Sequence, residues 1–279
     1  MQPIVVAIDF SNTSIHCIEY AISIANKVKS DILLVWVDKI TAQESLYPDT
    51  SNQNRNEAKK RFEDLVKQYG KKMGKELKIE YKLRKGKVYH EVDSLARNVG
   101  ALMIIAGAHG ISGFEEIWIG SNAFKMVSYA SVPVITVRND FRITKNIKII
   151  LLPIDNTAET LQKVTFVIKL AQFFKSEVHV VATHSSHLKS IQRISEKYAR
   201  QAIQDLKNNK VKFVQDSIVS NDITKAVISY ATQIDADLIS IVTEQETPIN
   251  ILMGPHTQQL INQSPIPVLS IHSHNHLIQ

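Results

Sequence analysis

The sequence is poor in the features that mark secreted, membrane-spanning and zinc-binding proteins. Its 279 residues include one cysteine, Cys17, which excludes an internal disulfide and a cysteine-based zinc site and is typical of a reducing compartment. No apolar run reaches the roughly 18 to 20 residues of a membrane helix. Residues 1–4 contain no basic segment ahead of the first apolar residues, so no signal peptide is expected. We therefore expect a cytoplasmic protein that does not enter a membrane.

The composition is that of a folded globular chain. Hydrophobic residues make up 44% and charged residues 22% of the chain, which excludes wholesale disorder and a fibrous repeat. At about 150 residues per domain, the length predicts two domains.

The positive charge is concentrated in one segment. The formal net charge is +6, and residues 55–87 hold thirteen Lys or Arg against five Asp or Glu. Apolar residues in this segment recur at the spacing of an amphipathic helix. We interpret its basic face as a solvated surface, because no RNA-binding signature, zinc finger or interleaving of basic and aromatic residues supports a nucleic-acid or membrane surface. The apolar positions are Ala58, Phe62, Leu65, Val66, Tyr69 and Met73.

Two halves of the chain follow the same order of elements. Each half opens with an apolar strand that ends in aspartate, at residues 4–9 and 147–155. Each closes with a strand that contains proline near its start, at residues 131–137 and 264–271. This order predicts two copies of one domain.

Within each copy, short apolar strands alternate with helical patterns. Residues 102–105 are continuously apolar, which is typical of a parallel sheet with helices on both faces. Right-handed crossovers then give a doubly wound α/β fold, whose ligands bind outside the carboxyl ends of the strands. We place the domains at residues 1–142 and 143–279, with the join in the polar stretch 140–146. The predicted strands are 4–9, 32–37, 77–83, 102–106, 134–137, 147–154, 177–183, 211–219, 238–242 and 267–271, and the helices of the second copy lie near 157–174, 188–208 and 222–235.

Four of the nine glycines lie in one loop, residues 107–120, directly after a predicted strand. Glycine lets backbone N–H groups approach an anion closely, and a helix that starts at Ser121 presents its free N–H groups to the same place. The hydroxyl of Ser121 can cap this helix or donate to a phosphate. The loop predicts an anion site, and an ordinary strand-to-helix turn is the alternative. It reads Gly107-Ala108-His109-Gly110, then nine residues, then Gly120-Ser121-Asn122.

This G-x-x-G-x9-G-S spacing, Asp9 at the end of the first strand and the closing Val132-Pro133-Val134 resemble the universal stress protein family, in its ATP-binding branch. The resemblance extends over almost the whole chain as two tandem copies. It implies two Rossmann-like domains, each with a five-stranded parallel sheet, that bind an adenine nucleotide and pair through their last strands. Those strands are here 134–137 and 268–271, and a further homodimer is left open.

The resemblance also implies which residues bind the nucleotide, which is ATP, ADP or AMP, with or without Mg. The glycine loop would form the phosphate and ribose cradle, and the ends of the first two strands would lie at the adenine and ribose. The family commonly has a small aliphatic residue at the position of Trp36, so this indole either stacks on the adenine or crowds it. Trp118 would flank the same site. The implied residues are Ile8, Asp9, Trp36, Gly107, His109, Gly110, Gly120, Ser121 and Asn122.

Asp9 has a second interpretation. A carboxylate directly after a strand also forms turns and caps helices. Asp155 keeps this position in the second copy, where the phosphate loop is altered. A structural share in the role of Asp9 is therefore as well supported as ligand binding.

The second copy departs from the phosphate-binding pattern. Alignment of the two strands places Thr243 at the first glycine and Glu246 at the second. Pro255 replaces Ser121 and removes a hydroxyl and an N–H. Glu244 adds a negative charge where a phosphate would lie. We expect one nucleotide per chain and a structural or regulatory second domain.

The histidines and Cys17 carry other hypotheses. His109 has no carboxylate partner in the sequence pattern, so we favour a loop residue over a catalytic base. His184 and His187 lack a third ligand, and the histidine-containing tail 272–276 is interpreted as a polar terminus, so no metal site is expected. Inert packing is favoured over reactivity for Cys17.

Three functions remain open, and we favour a non-enzymatic, or at most slowly hydrolytic, ATP-binding stress protein whose nucleotide occupancy alters domain association. The second is an enzyme of the wider adenine-nucleotide α-hydrolase-like group. Against it, residues 9–12 do not form a pyrophosphatase loop, no H-x-G-H motif occurs, and no general base lies opposite the predicted phosphates. The third is a protein-binding scaffold with a vestigial loop.

Overall fold

A computed structural model describes residues 2–38, 48–108, 121–144, 146–185, 188–243 and 255–273. The chain divides into two compact units, Met1–Asn139 and Asp140–Gln279. None of the helices in the described ranges is long and apolar enough to cross a membrane.

The first unit alternates strands and helices. Its strands lie in the order β3-β2-β1-β4-β5, and neighbouring strands run parallel. The order reverses between β1 and β4, because the chain moves outward to β2 and β3 on one side and returns to β4 and β5 on the other. The elements are β1 (Ile4–Ala7), α1 (Asn12–Val28), β2 (Ile32–Asp38), α2 (Pro48–Gly70), β3 (Ile79–Lys85), α3 (Val88–Asn98), β4 (Met103–Gly107), α4 (Ser121–Tyr129) and β5 (Val134–Val137).

Helices cover both faces of this sheet. Helix α1 packs on β1 and β4 and α2 packs on β2 and β3, whereas α3 packs on α4 and on β1 to β3. Right-handed crossovers place α1 and α2 on one face and α3 and α4 on the other. Between the two layers, β4 is buried from Met103 to Ala106 and β5 along its whole length.

The second unit repeats this topology. Its strands lie in the order β10-β9-β6-β7-β8, all neighbours run parallel, and the order reverses between β6 and β9. The prediction of two tandem doubly wound α/β domains is confirmed. The elements are β6 (Ile149–Ile154), a 3₁₀ segment (Ala158–Lys163), α5 (Val164–Phe174), β7 (Glu177–His184), α6 (Lys189–Asn208), β8 (Lys212–Val219), α7 (Ile223–Gln233), β9 (Leu238–Thr243), α8 (Pro255–Gln263) and β10 (Val268–His272).

Two predicted helices differ from the observed ones. The basic helix ends at Gly70, so Met73, predicted on its apolar face, lies in the following turn, where its N–H donates to the Gly70 carbonyl at 3.1 Å. Glycine is a poor helix former, which favours an end at this position. The helix predicted over 157–174 begins as a 3₁₀ segment. This geometry aligns residues three apart, and it brings Thr160 and Lys163 to the same buried side.

Candidate functional site

The carboxyl ends of β1 and β4 form the first unit's switch point, the place where doubly wound sheets bind ligands. These strands are hydrogen-bonded neighbours, with Val6 opposite Ile105. β1 leads through the buried Ile8 to Asp9, and β4 ends at Gly107. The fold thus brings two of the predicted site segments to one edge of the sheet.

Asp9 closes the turn between β1 and α1. Its Oδ1 accepts hydrogen bonds from the backbone N–H of Ser11 at 3.0 Å and from Ser11 Oγ at 2.6 Å. Ser11 is the N-cap of α1 and its hydroxyl accepts from the N–H of Ser14 at 3.2 Å. The Asp9 N–H donates to Ser14 Oγ at 3.3 Å. One carboxylate oxygen therefore stabilises the turn, and the other, Oδ2, accepts no hydrogen bond from the described part of the chain.

Phe10 follows in a left-handed conformation, with φ of 63°. Such a conformation costs an aromatic residue about 1 kcal/mol. Its ring centroid lies 5.0 Å from that of Phe62, and the guanidinium of Arg61 lies 4.7 Å above it. Phe62 is buried and also stacks on Tyr81, with centroids 5.0 Å apart. These contacts from α2 and β3 offset the cost of the conformation.

The turn is repeated in the second unit. Asp155 Oδ1 accepts from the N–H of Thr157 at 2.8 Å and from Thr157 Oγ1 at 2.5 Å, and the Asp155 N–H donates to Thr160 Oγ1 at 3.3 Å. The shared pattern D-x-[ST]-x-x-[ST] is the signal in the sequence that reveals this turn, and the two aspartates alone do not reveal it. The structure shows that the structural interpretation of Asp9 is correct, and it leaves the ligand-binding role open.

The end of β2 holds Trp36, which was predicted as a site residue, and Asp38, which was not. Trp36 is half-buried, opposite Leu83 of β3. Asp38 is buried, and its Oδ2 lies 4.0 Å from a guanidinium nitrogen of Arg55 in α2. Its carbonyl accepts from the N–H of Gly86 at 2.9 Å. Asp38 thus links β2 to α2 and to the end of β3. Its position at the end of a strand, like that of Asp9, is the feature of the sequence that could have identified it.

The structure describes both ends of the glycine loop. Gly107 lies opposite Val137 of β5, and the N–H of Ala108 donates to the Val137 carbonyl at 2.9 Å. Helix α4 begins at Ser121, as predicted, and Asn122 is half-buried in its first turn.

The middle of the loop, with His109, Gly110, Gly120 and also Trp118, lies outside the described residues. The first turn of α4 contains no acidic residue. No carboxylate of its own first turn therefore competes for the N–H groups and the positive dipole end at the start of α4. An anion can bind at a helix N-terminus only when these groups are available to it.

The second unit differs at the corresponding edge. Thr243, aligned with the first glycine, is buried at the end of β9, and its Oγ1 lies 3.2 Å from Nδ1 of His272 in β10. Pro255 is the first residue of α8. Glu244 and Glu246 lie outside the described residues. The described part of this edge thus carries a hydrogen-bonded side chain where the first unit has a glycine.

A buried lysine lies beside the second turn. Lys163 is 2% exposed, and its Nζ donates to Thr160 Oγ1 at 3.3 Å. Burial lowers the pKa of Lys163 to about 8, and the carboxylate of Asp155 opposes this shift. The corresponding residue of the first unit is Cys17, which is fully buried and whose pKa is raised by burial and by Asp9. At this position the second unit thus has a cationic side chain where the first unit has a neutral one.

The predicted histidines do not form a cluster in the described part of the chain. His184 is buried at the end of β7, with Nδ1 2.8 Å from Ser195 Oγ of α6. His187, His274 and His276 lie outside the described residues. Where residues are described, no three metal-ligating side chains come together to hold an ion.

Both halves of the chain match one family model, described as "Universal stress protein family", over residues 1–138 and 146–272. Universal stress protein YxiE of Bacillus subtilis (strain 168) is 28% identical over 142 residues, which cover 48% of this chain and 96% of YxiE. Universal stress protein MJ0531 of Methanocaldococcus jannaschii is 27% identical over 145 residues, which cover 49% of this chain and 82% of MJ0531.

Solved structures share the fold over the full length. A universal stress protein from Archaeoglobus fulgidus DSM 4304 matches with a TM-score of 0.78 at 17% identity, covering 98% of both chains. A functionally unknown protein, PA1789, from Pseudomonas aeruginosa PAO1 matches with a TM-score of 0.62 at 14% identity, covering 98% of this chain and 93% of that one. Both cover the two domains, and at these identities they establish the fold alone.

Proposed function

Because this chain belongs to the universal stress protein family, we propose that its first domain binds ATP, or another adenine nucleotide, at the carboxyl ends of β1 and β4. The strand order carries the proposal. Its reversal between β1 and β4 puts the Asp9 turn and Gly107, where the glycine loop begins, at the crevice in which doubly wound domains bind ligands.

The residues around this crevice fit a nucleotide. The N-terminus of α4 has no acidic residue in its first turn, so the helix dipole and the free N–H groups favour phosphate. Gly107 brings no side chain to the end of β4. The second carboxylate oxygen of Asp9 would accept from a ribose hydroxyl, and the half-buried indole of Trp36 offers a face to the base. The nucleotide binds with or without Mg.

The second domain serves as a structural or regulatory partner with no nucleotide of its own. Thr243 places a hydrogen-bonded side chain at the end of β9, and Pro255 at the start of α8 has no N–H to offer a phosphate. Glu244 and Glu246 add negative charge to the sequence between them. One chain then binds one nucleotide.

Binding without chemistry, or with slow hydrolysis at most, is what the described edge supports. Apart from His109, for which the sequence pattern offers no carboxylate partner, the predicted site residues include no histidine or lysine. The carboxylate of Asp9 is engaged by Ser11, and that of Asp38 lies beside Arg55, so neither is an isolated general base. We propose a cytoplasmic stress-response protein whose nucleotide occupancy alters its association with itself or other proteins. A protein-binding scaffold is the competing function.

Isothermal titration calorimetry with ATP tests the proposal, and one site per chain is the expected result. Gly110→Glu should abolish binding, because it places a carboxylate in the predicted phosphate loop. Gly70→Glu is the matched control. It adds the same charge at the end of α2, where an added Cβ meets nothing within 4 Å, and α2 ends near the start of β3, at the opposite edge of the sheet.

Quenching of tryptophan emission by ATP and retention of nucleotide through gel filtration are the supporting measurements. Failure of wild-type protein to bind any adenine nucleotide would favour the scaffold, and a stoichiometry near two would show that the second domain also binds. Steady ATP turnover that Gly110→Glu abolishes would establish an enzyme.

A further inference from the structure

Strand β8 forms an edge that its own unit leaves open. It is outermost in the order β10-β9-β6-β7-β8, and six of its eight residues are exposed. Val214 is 37% and Val219 is 47% exposed. An uncovered edge strand with exposed apolar residues is a template for pairing with another strand.

The backbone of β8 shows which residues would pair. The N–H of Ser220 donates to the carbonyl of His184 in β7 at 3.1 Å, so even-numbered residues of this stretch turn their backbone groups towards β7. Alternate residues of a parallel strand turn these groups to opposite sides. Phe213, Gln215, Ser217 and Val219 therefore point theirs away from the sheet.

The N–H of one of these four residues is already satisfied. Asp216 Oδ1 accepts from the N–H of Ser217 at 2.7 Å. Of the other three, Phe213 and Gln215 lie one on each side of Val214, and no described residue bonds to their outward backbone groups. Two such residues around a central one are what a strand needs to pair antiparallel with its own copy, since each would bond to the other across a two-fold axis at Val214.

The charges of β8 select the same axis. With Val214 on the two-fold axis, Lys212 of one copy lies opposite Asp216 of the other, and the pair occurs twice. These residues share one face with Val214, at positions where antiparallel side chains approach most closely. The Ser217 N–H donates to Asp216 Oδ1 at 2.7 Å and holds this carboxylate in place, which reduces the entropy lost on pairing. In the described structure Lys212 forms no ion pair of its own.

We propose that β8 is a homodimer interface, in which two copies of this chain pair antiparallel around Val214. The occupant is a second copy because, in the register centred on Val214, the backbone groups of β8 pair with their own copies and the charges of Lys212 and Asp216 are complementary. β3, an outer strand of the first unit, lacks this property. β3 carries Lys82, Arg84 and Lys85 against Glu80, and Glu80 is already paired with Lys78 at 2.9 Å.

Sedimentation velocity over a range of protein concentrations tests the interface. Wild-type protein should dimerise. Lys212→Asp sets the new carboxylate at position 212 of one copy opposite Asp216 of the other, on each side of the axis. Because these like charges repel, the substitution should raise the dimer dissociation constant on the order of tenfold or more. The double variant Lys212→Asp with Asp216→Lys restores opposite charges and should recover the dimer. Melting curves of all three proteins show that the loss arises from charge and not from unfolding.

Cysteine crosslinking tests the register. Val214→Cys should form a covalent dimer under mild oxidation, because the two thiols meet on the axis, and the native Cys17 is fully buried. Gln215→Cys is the matched control, since its partner position is residue 213 and its two thiols lie apart. A monomeric wild type, a dimer that Lys212→Asp leaves unchanged, or equal crosslinking at 214 and 215 would each overturn the proposal.

Discussion

The carboxylate of Asp9 accepts a hydrogen bond from the Ser11 hydroxyl at 2.6 Å, and the second domain repeats this contact between Asp155 and Thr157 at 2.5 Å. The turn after the first strand is thus a structural unit of each domain. It forms in both domains, although the sequence of the predicted phosphate loop is altered in the second.

Replacement of either aspartate separates stability from binding. Asp9→Ala and Asp155→Ala should each lower the free energy of unfolding of their domain by about 1 kcal/mol, because each removes the acceptor of two hydrogen bonds at a helix start. Asp9→Ala alone should weaken ATP binding. Urea unfolding followed by circular dichroism and calorimetric titration measure the two effects. Equal loss of ATP affinity in both variants would contradict a site confined to the first domain.

Lys163 should make the stability of the second domain depend on pH. Its pKa is lowered by burial to about 8 from 10.5, so between these values the unfolded chain holds a proton that the folded protein has released. The free energy of unfolding therefore rises with pH across this window, by about 3 kcal/mol in all. Lys163→Met removes this contribution and should stabilise the domain at neutral pH.

The measurement is the difference in unfolding free energy between Lys163→Met and wild type from pH 7 to 10. Taking the difference cancels the other groups that titrate in this range. The variant's advantage should shrink above pH 8. An advantage that stays constant with pH would show that burial does not lower the pKa of Lys163, because the folded and unfolded chains would then lose this proton over the same pH range.

Replacement by alanine should affect the stability of the protein differently at two glycines. Gly86 has φ of +146°, and an added Cβ would lie 3.0 Å from Oε1 of Glu91, so Gly86→Ala should destabilise the protein by about 1 to 2 kcal/mol. At Gly70 an added Cβ meets nothing within 4 Å, and Gly70→Ala should be neutral or stabilise by about 0.5 kcal/mol. Thermal melting of both variants beside wild type checks the contrast, and equal shifts would refute it.

Cys17 should be unreactive in the folded protein. It is fully buried, and burial, with a smaller contribution from Asp9, raises the pKa of its thiol, so little thiolate forms and no reagent reaches it. A chromogenic thiol reagent at pH 8 should modify Cys17 only after denaturant is added. Rapid modification of the native protein would show that α1 opens readily.

Much of the fold could be read from short segments. Continuously apolar strands such as 102–105, which alternate with amphipathic helices, predicted the parallel α/β sheets, and the paired aspartates revealed the repeat. The glycine pattern predicted where α4 begins, at Ser121. These features are local, since each depends on residues within a few positions of one another.

Other features of the site arise from contacts between distant segments. The left-handed Phe10 is held by Phe62 and Arg61 of α2, and Asp38 by Arg55. No residue spacing in the sequence predicts these contacts, although the D-x-[ST]-x-x-[ST] pattern predicts the turn itself.

The periodicity of apolar residues was sufficient to predict strands and helices, and the placement of glycine, proline and aspartate along the chain was sufficient to predict the two domains and the candidate loop. The burial of Lys163 and the open edge at β8 came only with the arrangement of strands in space. Burial is a property of what packs around a side chain, and an edge is a property of strand order. Both are set by crossovers that join segments far apart in the sequence, which is why these two features emerged from the folded chain.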